Sequence, residues 1–494
     1  EFLFYPSILM EVNQKDLQDF SLNYNKHSHF KVSANALARH NFKTIVINNK
    51  FINDHNEVFK KVIDIEVKST DQAESGRCWM FAYLNIIRLK MIKKYNLAPD
   101  FELSQTYLFF YDKLEKSNYF LNYILNNLNE KPDSRKTLHL LREPISDGGT
   151  TNMMFNLIKK YGLLPKSNMK ETFQSKSTSS INVLVNQRLR HAVNDLYENK
   201  KNRNKKFIKT VLADIYTMLV IFLGEPPLQF DWEYYSKGTN SKKSKKGGEN
   251  LRNDINIRML KKDKSKRPSS KNKDDSKNKY NIIKNLTPQI FYTKYSTFDV
   301  DEMITLINYP GKPFNKLYNV ETSNNMVNGK ENNYINVSVD LLKLLTKISI
   351  DDDCAVWFAC DVGKYMSKNL GVLDRKAFNI KDTIGFDYDM SKEDMLKYRV
   401  SEPSHAMIFK GYTMNKLEVK GKDIKLDVNK WLVENSWGDM TEKHGNFTMS
   451  DKWYTEFVYE IMINKKYLSK KLLNVFKTKA TVLPMWDPFG SLLN

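Results

Sequence analysis

Apolar side chains recur every three to four residues in several long stretches, which is the spacing of one face of an α-helix. The clearest run extends from Cys78 to Lys94, and a second covers Leu103 to Tyr123. A third helical region is predicted over residues 183–222, with shorter helices at Gln14–Asn23 and 464–475. The pattern therefore predicts that the first half of the chain is mainly helical.

Other segments have the continuous or alternating apolar pattern that is typical of β-strands. Ala355–Ala359 has the composition of a buried strand, Phe230–Tyr234 would enter a strand, and an extended run is predicted through Thr44–Ile47. Three antiparallel strands are predicted at 405–413, 416–427 and 430–435. A turn at Lys420–Lys422 lies among these strands. Helices followed by a β-rich part predict an α+β protein.

The composition is that of a globular protein, since 41% of the 494 residues are hydrophobic. No apolar run reaches the length of about eighteen residues that a membrane span needs, so no membrane association is expected. The apolar first ten residues lack a basic region and a cleavage site, so they are not interpreted as a signal peptide. The chain does not begin with Met, which leaves a preceding targeting segment open. Three cysteines favour a reducing compartment and predict a cytoplasmic protein.

Positive charge is concentrated in one stretch of the chain. The formal net charge is +21, and residues 236–280 contain sixteen basic and five acidic side chains, about half of that excess. The few apolar residues of this stretch are too sparse for a core, which predicts a largely disordered, low-complexity surface insertion. Two interpretations stay open: a solvated loop without function, or a segment that binds nucleic acid or another anionic surface.

One short segment carries candidate nucleophile chemistry. Cys78 lies at the expected start of its helix, where free backbone amides and the helix dipole favour a thiolate. Gln72, six residues earlier, can donate a side-chain N–H to an oxyanion that forms beside the sulfur. A cysteine before an apolar helix is more often a core residue. The rival nucleophile Cys360 ends a strand and lacks both the helix start and the upstream glutamine.

Two residues far along the chain complete a nucleophilic set. His405 lies between small neighbours at a predicted strand start, and Asn435 follows the last predicted strand. The order Cys, His, Asn is that of papain-like peptidases, in which the amide orients the imidazole. Trp437 could cover the Asn–His hydrogen bond and exclude water from it, or serve as an ordinary core tryptophan. Cys354 and Cys360 lack partners at ligand spacing, so no metal site is predicted.

Many blocks of the sequence together resemble the bleomycin hydrolases, the aminopeptidase C branch of the papain-like cysteine peptidases. The papain-type signature has a second cysteine upstream of the nucleophile, whereas this chain has Ser75-Gly-Arg-Cys-Trp79, the form associated with the bleomycin hydrolase branch. The other blocks are Leu103–Lys116, Asp147–Gly149, Lys159–Ser167, Phe230–Tyr234, Trp357–Lys364, His405–Met407, Asn435–Gly438 and Leu483–Gly490.

The resemblance implies a two-lobed papain-like fold with a helical lobe, a β-barrel-like lobe, a large inserted helical subdomain and a C-terminal arm. The expected parts are an N-terminal segment at 1–60, the lobe with the nucleophile at 61–182, the inserted region at 183–350, the β-rich lobe at 351–475 and the arm at 476–494. In the family, such insertions build the contacts of a homohexamer. A decorative subdomain without an assembly role is the alternative.

The resemblance also suggests how substrates bind. Asp147, Gly148 and Gly149, which by themselves read as a turn, match a glycine strip whose bare backbone pairs with the substrate backbone. The family's C-terminal arm lies in the cleft, where its terminal carboxylate meets the substrate's α-ammonium. Asn494 would then either present that carboxylate or be the residue that self-processing removes.

These observations predict a cysteine aminopeptidase that needs no metal or cofactor and acts on short peptides with free N-termini. Cys78 would attack, His405 would transfer protons, Asn435 would orient the imidazole, and Gln72 would stabilise the oxyanion. The resemblance adds bleomycin-type amides and homocysteine thiolactone as substrates. One alternative is a basic oligomer that binds nucleic acid and has a secondary peptidase activity. The other is an endopeptidase with an open cleft.

Overall fold

The computed structural model describes residues 10–236, 278–387, 389–420, 423–439 and 445–493. In these ranges no helix has both the length and the apolar character that crossing a membrane requires. Most of the predicted basic insertion, residues 237–277, lies outside the described residues, so the interpretation of that segment stays a prediction.

Helices dominate the first half of the described chain, as the apolar spacing predicted. Many begin with a side-chain cap; Ser104, for example, accepts a hydrogen bond from the Tyr107 amide at the start of the second long helix. The α-helices are α1 Gln14–Asn25, α2 Ser28–Leu37, α3 Phe42–Ile45, α4 Asn49–Asp54, α5 Cys78–Tyr95, α6 Gln105–Asn126, α7 Arg135–Arg142, α8 Thr151–Tyr161, α9 Phe173–Lys176, α10 Ser179–Glu198, α11 Lys205–Leu223, α12 Pro288–Tyr295, α13 Val339–Asp351, α14 Ile380–Ile384, α15 Lys392–Lys397, α16 Asp451–Phe457 and α17 Lys470–Val475.

One large mixed sheet collects nearly all of the strands. The strands are β1 Lys61–Val62, β2 Phe230–Ser236, β3 Lys279–Leu286, β4 Met303–Ile307, β5 Lys316–Val320, β6 Tyr334–Asn336, β7 Val356–Cys360, β8 Met366–Ser367, β9 Val372–Leu373, β10 His405–Lys420, β11 Asp423–Glu434, β12 Asn446–Ser450, β13 Val458–Asn464 and β14 Thr481–Leu483. Their order across the sheet is β14-β5-β6-β4-β13-β7-β10-β11-β12-β9-β8, and β1 pairs with β10. Strands β2 and β3 form a separate hairpin.

Helix α5 is buried over most of its length between this sheet and the other helices. Its apolar residues lie on several faces, so it has no solvent-facing side over that length, as expected for a core helix. The Trp357 indole of β7 donates to the Trp79 carbonyl at 3.1 Å, which ties the start of α5 to the centre of the sheet. The first turn of α5 is therefore fixed against β7.

Three details of the predicted secondary structure are wrong. The first half of the extended run predicted at Thr44–Ile47 belongs to the helical turn α3, Phe42–Ile45, because the Asn41 side chain accepts from the Lys43 amide at 2.9 Å and caps it. The three strands predicted between 405 and 435 are two long strands, β10 and β11, whose pairing continues through register shifts. The final helix α17 is shorter than predicted, because Ser469 caps its start.

Other predicted elements appear with adjusted bounds. The helical stretch at 183–222 is two helices, α10 and α11, separated by a break at which Asn204 caps α11. Strand β2 forms as predicted and pairs with β3 so that Ser236 lies opposite Lys279. Strands β4 to β6 join the main sheet, so the sheet also draws on a part of the chain that lies before residue 351. The domain boundaries themselves stay a prediction.

A carboxyl group is buried in the middle of the sheet. Glu460 of β13 lies opposite Ile307 of β4 and Ala359 of β7, and only 2% of its surface is exposed. Burial raises the pKa of Glu460 to about 8. Among the described residues, no donor reaches its Oε1 atom. Glu460 is therefore protonated, and neutral, at neutral pH.

Candidate active site

Cys78 is the first residue of α5, so its thiol lies at the N-terminal end of a long buried helix. The backbone amides of Trp79 and Ala406 hydrogen-bond to the sulfur. Because Ala406 directly follows His405 in β10, this contact brings the thiol beside the strand that carries the histidine. The helix start predicted from sequence therefore coincides with the meeting point of helix and sheet.

His405 begins β10, where it pairs with Cys360 of β7, and its side chain is buried. Its Nε2 lies 2.9 Å from Oδ1 of Asn435, the residue after β11. The Ser436 amide donates to the same Oδ1 at 2.7 Å, which identifies that atom as an acceptor. Nε2 therefore carries the hydrogen, and Nδ1 is left as the basic nitrogen that can accept a thiol proton.

Trp437 packs against the His405 side of this pair. The centres of the Trp437 and His405 rings are 4.9 Å apart at an angle of 37°. Asp71, on the loop before the nucleophile, forms an isolated β-bridge with Trp437. The role predicted for the indole, to shield the Asn435–His405 hydrogen bond from water and so strengthen it, stays a prediction.

Burial makes the neutral forms of both reacting groups the more stable ones. It raises the pKa of Cys78 to about 11, although the surrounding backbone amides lower it. It also lowers the pKa of His405 to about 4, although the Asn435 hydrogen bond raises it. The thiolate stabilisation expected at the helix start is therefore present but is outweighed by burial. A thiolate–imidazolium pair in this site depends on the attraction between the two charges.

Gln72 lies on a tight loop whose ends are tied together. Its side-chain nitrogen donates to the Ser75 carbonyl at 2.7 Å, and its backbone amide donates to the Ser436 carbonyl at 2.9 Å. The Ser75 hydroxyl donates back to the Gln72 carbonyl at 2.6 Å. The side-chain nitrogen has a second hydrogen available for an oxyanion.

A buried ion pair, which was not predicted from the sequence, supports this loop. Arg77 donates to both carboxylate oxygens of Glu171, at 3.1 and 2.9 Å, and to the Ser75 hydroxyl at 2.9 Å. The exposed fractions of the Arg77 and Glu171 side chains are 0% and 6%. Burial acts to raise the pKa of Glu171, but Arg77 holds it below its usual range. No local pattern in the sequence connects two residues so far apart.

The side chain of Asp147 is occupied within the protein. Its carboxylate pairs with Lys113 at 2.7 Å and accepts from the Gly76 amide at 3.1 Å and from Asn182 at 2.9 Å. The Thr178 hydroxyl also donates to it. Burial acts to raise the pKa of Asp147, but Lys113 and these hydrogen bonds hold it well below its usual range. Asp147 thus ties the loop before Cys78 to helix α6.

The two glycines that follow form a strip that α5 and α6 hold in place. Lys116 of α6 donates to the carbonyls of Ser146 at 3.1 Å and Gly148 at 2.5 Å. A Cβ atom on Gly149 would lie 2.5 Å from the Trp79 ring, so only glycine fits this approach. The sequence showed the glycines but not the lysine, whose pattern is that of any helix-face residue.

The C-terminal arm crosses the same region. Residues Pro488–Leu493 form a 3₁₀ turn, whose Ser491 hydroxyl donates to the Pro403 carbonyl at 2.7 Å. The Ser146 hydroxyl donates to the Leu493 carbonyl. Ser146 precedes the glycine strip and Pro403 precedes His405, so the arm contacts both walls beside the reacting groups. Asn494 lies outside the described residues.

A cysteine at a helix start, a histidine on a strand and an asparagine bonded to that histidine define the class of papain-like cysteine peptidases. The chain belongs to the peptidase C1-like family, whose model matches residues 11–253 and 266–490. The predicted α+β papain-like fold and the peptidase class are confirmed. The roles of the individual site residues stay predictions.

Known relatives extend over nearly the whole chain. An aminopeptidase C of Listeria monocytogenes is 36% identical, over 98% of this chain and 99% of its own length. A bleomycin hydrolase of Mus musculus is 31% identical over 97% of this chain and 98% of its own. The crystal structure of PepW from Lactobacillus rhamnosis aligns with a TM-score of 0.84 at 33% identity, covering 97% of this chain and 99% of that one.

Proposed function

We propose that this peptidase is an aminopeptidase that removes N-terminal residues from short peptides. The observation that carries the proposal is the arm, which is hydrogen-bonded to Ser146 on one wall and to Pro403 on the other. An arm in this position leaves little room for substrate residues ahead of the one whose bond is cleaved. The names of the relatives, aminopeptidase C and bleomycin hydrolase, support the same activity.

In the proposed reaction the Cys78 thiol transfers its proton to Nδ1 of His405, and the sulfur attacks the carbonyl carbon. The Gln72 side chain and the Cys78 backbone N–H stabilise the oxyanion. His405 then returns the proton to the leaving amine, which departs and leaves a thioester on Cys78. Water, deprotonated by His405, hydrolyses the thioester and restores the thiol. Asn435 holds the imidazole in the required tautomer throughout.

The glycine strip is proposed to align the substrate. The backbone of Gly148 and Gly149, which is buried and packs close to the Trp79 ring, is proposed to pair with the substrate backbone. Lys116 donates to the Gly148 carbonyl and so fixes its orientation. Asp147 contributes only by holding the strip in position, because its carboxylate is already paired with Lys113. Rigid support of this kind keeps the scissile carbonyl within reach of the sulfur.

The test compares an aminoacyl fluorogenic amide with its N-acetylated twin. Three proteins are compared with a control: the unmodified chain, Cys78→Ala, and a chain that lacks residues 491–494, which carry the contacts to Ser146 and Pro403. Cys354→Ala is the matched control, because Cys354 is a half-buried cysteine outside the site. We expect the unmodified protein and the control to cleave only the free-amine substrate.

Cys78→Ala should abolish that cleavage, and the shortened chain should gain activity on the acetylated substrate. Equal cleavage of both substrates by the unmodified protein would refute the proposed role of the arm and favour an endopeptidase. No cleavage of either substrate in reducing buffer would refute the aminopeptidase proposal itself.

We also propose that the protein is a cytoplasmic homohexamer. Exposed apolar side chains on α1, namely Leu17, Phe20 and Leu22, support self-association. A monomer mass measured by light scattering would contradict the proposed hexamer. Cell fractionation tests the proposed cytoplasmic location. The nucleic-acid-binding alternative depends on residues outside the described ranges, and a salt titration of binding tests it.

A further inference from the structure

Lys368, which has no role in the proposed reaction, lies over the tryptophan ring that packs on His405. The Nζ atom of Lys368 lies 4.9 Å from the centre of the Trp437 ring, over its face. Trp437 in turn packs on His405, with 4.9 Å between ring centres. The ammonium group therefore lies within about 10 Å of the imidazole, a distance that two to three residues of extended chain span.

The position of Lys368 is fixed by a short hairpin. Lys368 follows β8, and its carbonyl accepts from the Gly371 amide at 3.3 Å to close the turn before β9. Gly371 has a φ of +61°, which favours glycine over other residues at this turn. The Gly371 carbonyl accepts from the Thr448 amide at 2.8 Å, which ties the hairpin to β12. The Lys368 side chain therefore extends from a turn that hydrogen bonds hold in place.

Among the described residues, no carboxylate forms an ion pair with Lys368, although the side chain is half-buried. Asp71, on the same wall, has its Oδ1 engaged by the Ala73 amide at 2.8 Å. An ammonium group that lies over an aromatic ring can at the same time donate hydrogen bonds to an anion.

Among the described residues, no hydrogen bond or ring contact joins the arm to Trp437 or Lys368, which form one wall of the site. The arm touches Ser146 and Pro403, whereas Trp437 pairs with Asp71 on the loop that carries Gln72. If the arm limits the space for the amino-terminal residue, the leaving peptide passes along the other wall. That wall then meets the carboxyl-terminal part of the substrate.

We infer that Lys368 binds the free α-carboxylate of the leaving peptide, so that dipeptides and tripeptides with a free C-terminus are the preferred substrates. The inference rests on the proposed aminopeptidase activity. It assigns Lys368 to substrate selection on the leaving-group side and gives it no part in bond cleavage. One or two leaving residues of about 3.5 Å each place their carboxylate within reach of the flexible lysine.

The experiment compares dialanine with dialanine amide, which differ only in the carboxylate. Lys368→Met removes the charge and keeps most of the side-chain volume, and Lys368→Arg restores the charge. Lys381→Met, on the exposed face of α14, is the control for a general loss of one positive charge. Hydrolysis of an aminoacyl fluorogenic amide, which has no carboxylate, is measured in parallel.

For Lys368→Met we expect the KM for dialanine to rise about fivefold with kcat unchanged, because the carboxylate contact is the same in ground and transition states. The KM for dialanine amide should stay constant, Lys368→Arg should restore the preference, and added salt should weaken it. Equal effects on both substrates, or no effect on either, would overturn the inference. If the unmodified protein does not cleave the fluorogenic amide, that result would instead overturn the proposed function.

Discussion

Replacement of Glu460 by glutamine should change how the stability of the protein depends on pH. Burial holds the pKa of this carboxyl at about 8, compared with an ordinary value of 4.5. The folded protein therefore keeps a proton that the unfolded chain releases at lower pH. The contribution of Glu460 to stability is fully present below pH 4.5 and is lost as the pH rises through 8.

The size of the effect follows from the shift. One pKa unit corresponds to about 1.4 kcal/mol, so the full loss above pH 8 approaches about 5 kcal/mol. Between pH 5 and pH 7 this linkage should lower the free energy of unfolding of the unmodified protein by about 2–3 kcal/mol. Glutamine has nearly the same shape and cannot ionise. The difference in unfolding free energy between Glu460→Gln and the unmodified protein should therefore grow in favour of the variant over this range.

Urea unfolding at pH 5 and pH 7 measures this difference, since other titrating groups cancel between the two proteins. Glu198→Gln, at the exposed end of α10, is the matched control and should give no pH-dependent difference. If the difference between Glu460→Gln and the unmodified protein were the same at both pH values, the carboxyl would not be held neutral by burial.

Three further substitutions test the site. Asn435→Ala removes the 2.9 Å bond to His405 and should lower kcat roughly 10- to 150-fold, as expected for about 1.5–3 kcal/mol, whereas an unchanged kcat would contradict that role. Glu171→Gln leaves the Arg77 charge buried without its partner and should lower the free energy of unfolding in urea by about 3–5 kcal/mol. The same change at the more exposed Glu102 should cost less than about 1 kcal/mol, and equal losses would contradict the argument. Ser146→Ala removes one tie of the arm and should raise the rate on N-acetylated substrate about fivefold, whereas no gain would show that Ser146 does not hold it.

Local patterns allowed much of the helical part to be predicted from sequence. The Cys78 helix was evident because a loop, a cysteine and a periodic apolar run follow one another within a few residues. Strands β4 and β6 were missed, because short strands of three to five residues have too little pattern to separate them from buried loops. The turn at α3 was missed because Thr44–Ile47 is a run of four β-branched residues, a composition that is typical of strands.

The supporting parts of the site could not be predicted for a different reason. The Arg77–Glu171 and Lys113–Asp147 pairs join residues that are adjacent only after folding. The pKa of Cys78 likewise depends on how many neighbours exclude water from the thiol, which is a property of tertiary packing. The motif predicts which groups react but not the environment that surrounds them.

The pairing of β2 with β3 has a consequence for how this chain tolerates change. Because Ser236 lies opposite Lys279, the end of β2 lies next to the start of β3. Doubling the length of a segment closed in this way costs only about 0.6 kcal/mol in chain entropy. A change in the length of the sequence between these two residues is therefore expected to cost little chain entropy, which makes the hairpin a natural attachment point for fused domains.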